Sequence, residues 1–381
     1  MNQGRFPADS ATALLQAFVR TPSVNPAGDP GVDAADTGER RMAERVAEAL
    51  ADLGVQAEFP EVLPGRPNVV GRFPADRSGK PKLLLCPHLD TVSVRGMTID
   101  PFAADLRDGK LHGRGTADTK GTMAAMLWAL AELGPDAVAR MRHEVWFAGL
   151  ADEEAGNTGA YALVAAFPDA AFALVGEPTR CQVVHTTKGV TWLRLRTAGR
   201  AAHSASPHLG DNAIYKMADA VCAVRDELLP IYATQPHPVL GAATASVGII
   251  GGGSKVNIVP DACAAELDIR TVPAQDRPDF LDEVRALLQR ACPGLEVELL
   301  RQHVPLHTPP EHPGVQALVA AGGRCVGAPW FCDGSVLSAA GIPAVAAGPG
   351  DIAQAHTADE FLAEADLLAG VKFYKRFFER M

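Results

Sequence analysis

Apolar positions along the first part of the chain follow two alternating rhythms. "RRMAERVAEALADLG" (40–54) repeats apolar residues every three to four positions and stops at a glycine, which predicts an amphipathic helix. "KLLLC" (82–86) has the length and composition of a buried strand, "TMAAMLWALAEL" (122–133) is helical, and "HEVWFAGLA" (143–151) is again a strand. "YALVAAF" and "AAFALVGEP" add another helix and strand before about residue 181. Such alternation predicts an α/β domain, a mostly parallel sheet flanked by helices, with ligands at the carboxyl ends of its strands.

From about residue 189 to 300 the rhythm changes. "VTWLRLRT" alternates like a half-exposed strand, "NAIYKMADAVCAVRDELL" (212–229) is an amphipathic helix, and "TASVGII" and "CAAELDIRT" read as strands around a turn at Gly251–Gly253. "RPDFLDEVRALLQRA" and "LEVELL" add a helix and a strand, completing β-α-β-β-α-β, an α+β split βαβ (ferredoxin-like) unit. Alternation of the first kind resumes near 301. Residues 189–300 therefore read as a module inserted in a domain built from 1–188 and 301–381. The Pro/Gly-rich pieces 24–31 and 304–314 read as loops.

Composition narrows the class. A chain of 381 residues exceeds one ordinary core, in keeping with two domains. Hydrophobic content of 47% and charged content of 21% are those of a soluble globular enzyme. The net charge of -10, without any Lys/Arg run, excludes a nucleic-acid surface. Residues 159–176, the least polar long stretch, are broken by Pro168 and Asp169 and are no membrane span. The first thirty residues show no signal-peptide pattern, and seven cysteines without C-x-x-C suggest reduced thiols, so a cytoplasmic location is expected.

The buried run "KLLLC" leads into "PHLDTV" (87–92), placing His88 and Asp90 at a strand end. Other strand ends carry Asp118 in "GRGTADTKG", Glu153 and Glu154 in "ADEEAGNTG", Glu177 in "VGEPT" and His356 in "GPGDIAQAHTADEF". Singly, each has an ordinary explanation: a lone histidine usually hydrogen-bonds, and an acidic pair after a strand usually begins a helix. One parallel sheet, however, gathers all five ends on one rim. Two histidines with several carboxylates and no cysteine suit zinc, with cobalt or manganese as substitutes. His88, Asp118, Glu154, Glu177 and His356 read as ligands for two such ions, a count that closes only if one carboxylate, Asp118, bridges. A water shared by two ions, its pKa lowered toward ~7, is a hydrolytic device. Residues 88 and 90 share a strand face, so the Asp90 carboxylate is expected to accept the imidazole N–H of His88. Of Glu153 and Glu154, one should ligate and the other act as base. Spacing does not order them.

Five motifs in sequence, "HLDTV", "GRGTADTKG", "DEEAGNTG", "GEPT" and "AHTADEF", span nearly the whole chain. Together they resemble the two-zinc amidohydrolase and exopeptidase family that includes acetylornithine deacetylases, succinyl-diaminopimelate desuccinylases, the glutamate-releasing carboxypeptidase and the aminoacylases. The resemblance implies a zinc-exopeptidase fold, Glu153 as base, Glu154 as ligand, Asp118 as a bridge followed by a cis peptide, and the inserted module as a lid through which a homodimer forms. It implies that His203, in "RAAHSASPHLGDNAI", crosses to the partner subunit's site and polarises the scissile carbonyl. Asn257 in "KVNIVP" and Arg270 in "ELDIRT" would clamp a substrate α-carboxylate, with Gly334 of "FCDGS" also at the substrate. Without the resemblance, His203 reads as a loop histidine and Arg270 as a strand-surface charge.

The implied activity is metal-dependent hydrolysis of a small N-acyl amino acid. Within the family, "GPGDIAQAHTADEF" points toward the deacetylases, whereas Asp333-Gly334 is nearer the desuccinylase pattern. A dipeptidase or carboxypeptidase would share every ligand and differ in the pocket, and a non-catalytic amino-acid-binding protein would have little use for both ligands and Glu153. "GRGTADTKG" matches no nucleotide-binding fingerprint. His208, His237, His303, His307 and His312 fall in Pro-rich loops and are expected to be solvated, and Cys332 carries no nucleophile signature.

Overall fold

In the computed structural model of the protein, described over residues 10–27 and 33–381, an eight-stranded sheet forms the frame. Its order is Ala57–Glu58, Val69–Arg72, Glu144–Gly149, Lys82–Pro87, Phe172–Gly176, Ala344–Ala346, Val183–Thr187 and Cys325–Ala328. The central four of these strands, from Glu144–Gly149 to Ala344–Ala346, run parallel. Antiparallel partners join at the margins. Leu83 to Cys86 are all fully buried, which is why this strand reads as an unbroken apolar run rather than an alternating one. The predicted loop at 24–31 lies partly outside the described residues.

Two compact units are present. The first comprises the described residues up to His185 together with His307–Val326 and Cys332–Met381. Its helices Ala11–Val19, Arg40–Asp52, Lys120–Leu133 and Glu364–Phe378 share one core with Leu83, Leu85, Phe147 and Phe172 of the sheet. Helix Arg40–Asp52 buries Met42, Ala43, Val46, Ala49 and Leu50, the spacing that predicted it, and the chain leaves it through Gly54 at φ +74°. A further sheet was not expected: Phe361–Ala363, Lys110–His112 and Asp105–Arg107 pair as three antiparallel strands. Three residues per strand are too few for a periodicity to register.

The second unit comprises Thr186–Leu306 and Gly327–Phe331. Its antiparallel sheet has the order Thr244–Gly252, Ala262–Thr271, Gly189–Ala198, Glu296–His303, and helices Ala213–Ala223 and Phe280–Ala291 pack on it around Leu193, Leu195, Leu267 and Ile269. This is the split βαβ arrangement. The first strand runs on through Gly252, so the turn begins at Gly253 rather than at Gly251. The helix expected over 212–229 changes winding: a π turn, Val224–Leu228, leads into Leu229–Ala233. Pro230 lacks the N–H that a regular helix would use, and the wider turn stands directly before it.

Three histidines expected in solvent are partly buried, among them His237, whose ring accepts from Val239 N and Leu240 N at 3.2 Å. The His312 ring accepts from Gly314 N, capping the helix that follows, and stacks on Phe172 at 5.2 Å. His303 is half-buried, 4.5 Å from the Phe331 ring. Among the described residues, no helix is long and apolar enough to cross a membrane.

Candidate metal centre

The strand Lys82–Pro87 leads directly into His88, which is almost fully buried. Its Nδ1 lies 2.9 Å from the Asp90 carbonyl oxygen, and its Nε2 lies 3.0 Å from Asp118 Oδ1. A ring that donates from Nδ1 keeps the lone pair on Nε2, the atom that faces Asp118. Asp118 closes the loop after Lys110–His112 and precedes a cis peptide to Thr119. Its second oxygen, Oδ2, lies 3.3 Å from His356 Nε2, and that same nitrogen is 3.2 Å from Glu154 Oε2. His88, Asp118 and Glu154 offer ligand atoms within 4.8 Å of one another. Glu177 follows the strand Phe172–Gly176 and is buried within electrostatic reach of Asp118, His88 and Glu154.

Charge makes the case for a cation. Burial drives the Glu153 and Glu177 carboxyls well above the usual carboxylate range and raises Glu154 as well. At Asp118 burial opposes ionisation, yet His356 and His88 hold the carboxyl below its ordinary value. The His356 ring is lifted to about 10, chiefly by Asp118 and then Glu154. Glu154 Oε1 is buried without a hydrogen-bond partner. Several carboxylates withdrawn from water, an unpaired acceptor and imidazole nitrogens turned toward them form an oxygen- and nitrogen-rich donor set. It fits zinc or another divalent transition ion and contains no thiolate.

The structure revises the part expected of Asp90. His88 Nδ1 is 3.5 Å from Asp90 Oδ1, farther than from the main-chain carbonyl. The carboxylate is engaged elsewhere: Oδ1 accepts from Glu153 N at 3.2 Å, and Oδ2 accepts from Glu154 N at 3.1 Å and from Asn25 Nδ2 at 2.8 Å. Asp90 thus orients His88 through its backbone and holds the Glu153–Glu154 segment through its side chain.

Other residues on this segment gave no signal in the sequence. Asn25 Nδ2 also donates to Asp152 Oδ1 at 3.0 Å, and Arg66 reaches the same oxygen at 3.0 Å. Asn157 Nδ2 lies 3.0 Å from Asp333 Oδ1 and 3.3 Å from the Glu153 carbonyl. Burial lifts the Asp333 carboxyl to about 7. The neighbouring Gly334 is buried in the first turn of helix Asp333–Ala339. The noted Asp333-Gly334 pair was the one hint that this turn mattered.

In the second unit His203 and Asn257 come together. His203 bridges to Ile258, and Ser204 N donates to the Asn257 carbonyl at 3.1 Å. The exposed His203 ring accepts from Ala205 N at 3.1 Å. Arg270 lies on the strand Ala262–Thr271, where its Nε donates to Asp268 Oδ2 at 3.0 Å.

Histidines and carboxylates gathered at the strand ends of a mostly parallel α/β sheet define a metal-dependent hydrolase. The chain belongs to peptidase family M20/M25/M40, whose sequence profile matches residues 84–380. It is 33% identical to an acetylornithine deacetylase of Proteus mirabilis over 366 residues, 92% of this chain and 91% of that protein. Its fold resembles that of the aminopeptidase PepT from Bacillus cereus, with a TM-score of 0.78, 20% identity and coverage of 100% of this chain and 99% of the other. It also resembles YXEP of Bacillus subtilis, described as a dinuclear metal-binding peptidase of family M20, with a TM-score of 0.71, 14% identity and coverage of 97% and 96%. The protein is an M20-type metallopeptidase or amidohydrolase.

Proposed function

We propose that the protein removes the acyl group from an N-acyl amino acid, releasing a carboxylate and a free α-amino acid, with two zinc ions held by His88, Asp118, Glu154, Glu177 and His356. The observation that carries this reading is the division of Asp118 between two imidazoles, Oδ1 toward His88 at 3.0 Å and Oδ2 toward His356 at 3.3 Å. This disposition would suit a carboxylate shared by two ions. Such ions, when bound, lower the pKa of a shared water and polarise an amide carbonyl. Glu153 takes a proton from the water and returns it to the leaving nitrogen. The partner subunit's His203 steadies the carbonyl oxygen, and Asn257, Arg270 and Gly334 position the substrate. In this reading residues 189–300 are the lid and dimerisation module of a cytoplasmic homodimer, set in a catalytic domain of 1–188 and 301–381.

The acyl group and side chain rest on the likeness to the Proteus deacetylase. We favour an acetyl group on a medium-length polar amino acid such as ornithine or citrulline, which would place the enzyme in arginine biosynthesis. The test is a panel of N²-acetylornithine, N-acetylcitrulline, N-acetylmethionine, N-succinyl-diaminopimelate and a dipeptide, assayed with zinc or cobalt. The acetylated polar amino acids should show the highest kcat/KM. Preference for the succinyl compound or the dipeptide would overturn the deacetylase reading and leave the metal chemistry standing.

A further inference from the structure

Glu360 lies four residues after His356, on the segment that enters the small sheet through the pairing of Phe361 with His112. The Gly113 amide donates to its carbonyl at 3.0 Å, fixing the register. Its side chain is fully buried and turns into the loop that ends at Asp118. There one carboxylate collects four donors. Oε1 accepts from Ala117 N at 2.8 Å and Asp118 N at 3.1 Å; Oε2 accepts from Gly115 N at 3.1 Å and Arg114 Nη1 at 2.7 Å. Four donors exhaust the acceptor directions of a carboxylate. Arg114, itself buried, directs its remaining nitrogens to the Ser93 carbonyl at 3.0 and 3.2 Å.

Three main-chain donors of one short loop, at Gly115, Ala117 and Asp118, therefore converge on a single side chain from the far end of the chain. No backbone partner from a regular helix or strand serves them. The amide of Asp118 is among them, so the Cα position from which the Asp118 carboxylate extends is set by Glu360. His356, the imidazole that faces Asp118 Oδ2, belongs to the same short segment as Glu360. One residue thus ties the loop bearing the shared carboxylate to the segment bearing one of the two imidazoles.

We infer that Glu360 is a positioning residue of the metal centre: it holds Asp118 so that its two oxygens face His88 and His356 together, and thereby sets the affinity for metal. The inference rests on the metal-centre reading above. An ordinary buried ion pair with Arg114 would stabilise the fold without this effect, and the two roles are separable. Glu360→Gln breaks the pair with Arg114 and also turns an NH2 group toward main-chain N–H donors. Arg114→Met breaks the same pair but leaves the carboxylate on its three amides.

The experiment is calorimetric titration of zinc into the metal-free full-length protein, wild type and both variants, with circular dichroism to establish that each is folded. Loss of a group that orients a metal ligand typically weakens binding about ten- to a hundredfold. Glu360→Gln should show a loss of that size, while Arg114→Met stays within about threefold of wild type. Where Glu360→Gln does not fold, Glu360→Asp takes its place: it keeps the charge opposite Arg114 but withdraws both oxygens by one methylene, and the same tenfold loss is expected. Near-wild-type affinity in the folded Glu360 variant, or an equal loss in Arg114→Met, would overturn the inference. Absence of zinc binding by the wild type would instead refute the metal-centre reading itself.

Discussion

Arg66 and Glu39 form a bidentate ion pair, Nε to Oε2 at 2.7 Å and Nη2 to Oε1 at 2.6 Å, with the Glu39 side chain wholly buried. The pair is fastened to the segment bearing Glu153: Asp152 N donates to Glu39 Oε1 at 3.2 Å, and Arg66 Nη2 reaches Asp152 Oδ1 at 3.0 Å. One guanidinium is therefore shared by two carboxylates, one of which, Asp152, immediately precedes the proposed base. Arg66→Met should leave both uncompensated and cost about 3–5 kcal/mol of stability, measured by urea unfolding. A change below about 1 kcal/mol would mean that the charges are solvated after all.

Glu153→Gln and Asp118→Ala separate proton transfer from metal retention. The first should lower kcat by about 10²- to 10⁴-fold while metal content, read by elemental analysis, stays at the wild-type level. The second should reduce occupancy of both proposed sites together. If Asp118→Ala kept both ions, the shared carboxylate would have to be another residue.

The proposed action of His203 across a dimer has its own test. His203→Ala and Glu153→Gln homodimers should both be weakly active, whereas a mixed population should regain activity because one site in each heterodimer is intact. Verified subunit exchange without any recovery would confine His203 to its own subunit or remove it from the reaction.

His303 gives the second unit an acid-sensitive contact. Burial, with Arg301 beside it, lowers its pKa from 6.5 to about 4, and Arg301 Nε donates to its Nε2 at 2.6 Å. The unfolded chain takes up this proton first as the pH falls. The group therefore costs no stability above pH 6.5 and progressively more between 6.5 and 4. His303→Gln should remove about 1 kcal/mol of the acid-induced loss between pH 7 and 4.5, allowing for partial solvent exposure. Identical urea midpoints for wild type and variant at both pH values would deny His303 that role.

Much of the fold could be read from the sequence because the burial that shapes each element also spaces its apolar residues. Helix Arg40–Asp52 and the strand Lys82–Pro87 declare themselves this way. The proposed ligands His88, Asp118, Glu154, Glu177 and His356 could be picked out because each follows or precedes such an element. What holds them could not. Asn25, Glu39 and Arg66 all hydrogen-bond Asp152, 86 to 127 positions away, and no local pattern encodes a partner so distant. The expected Asp90–His88 contact is long, 3.5 Å, for a related reason: strand alternation predicts which face a side chain takes, whereas the Asp90 oxygens also accept from amides at another strand's end.

The small sheet joining Phe361–Ala363 to Lys110–His112 has a consequence for folding order. Asp118 and Glu360 are 242 positions apart, and the whole Thr186–Leu306 stretch lies between them. The second unit can close its core largely from that contiguous stretch, but the metal centre is among the longest-range contacts in the chain. Contacts of such sequence separation form slowly because a long loop must close before they contribute. On the ribosome, His88 and Asp118 would emerge early and wait for His356 and Glu360. A nascent chain released before residue 360 would then carry a folded second unit beside a first unit whose acidic cluster is still open to solvent.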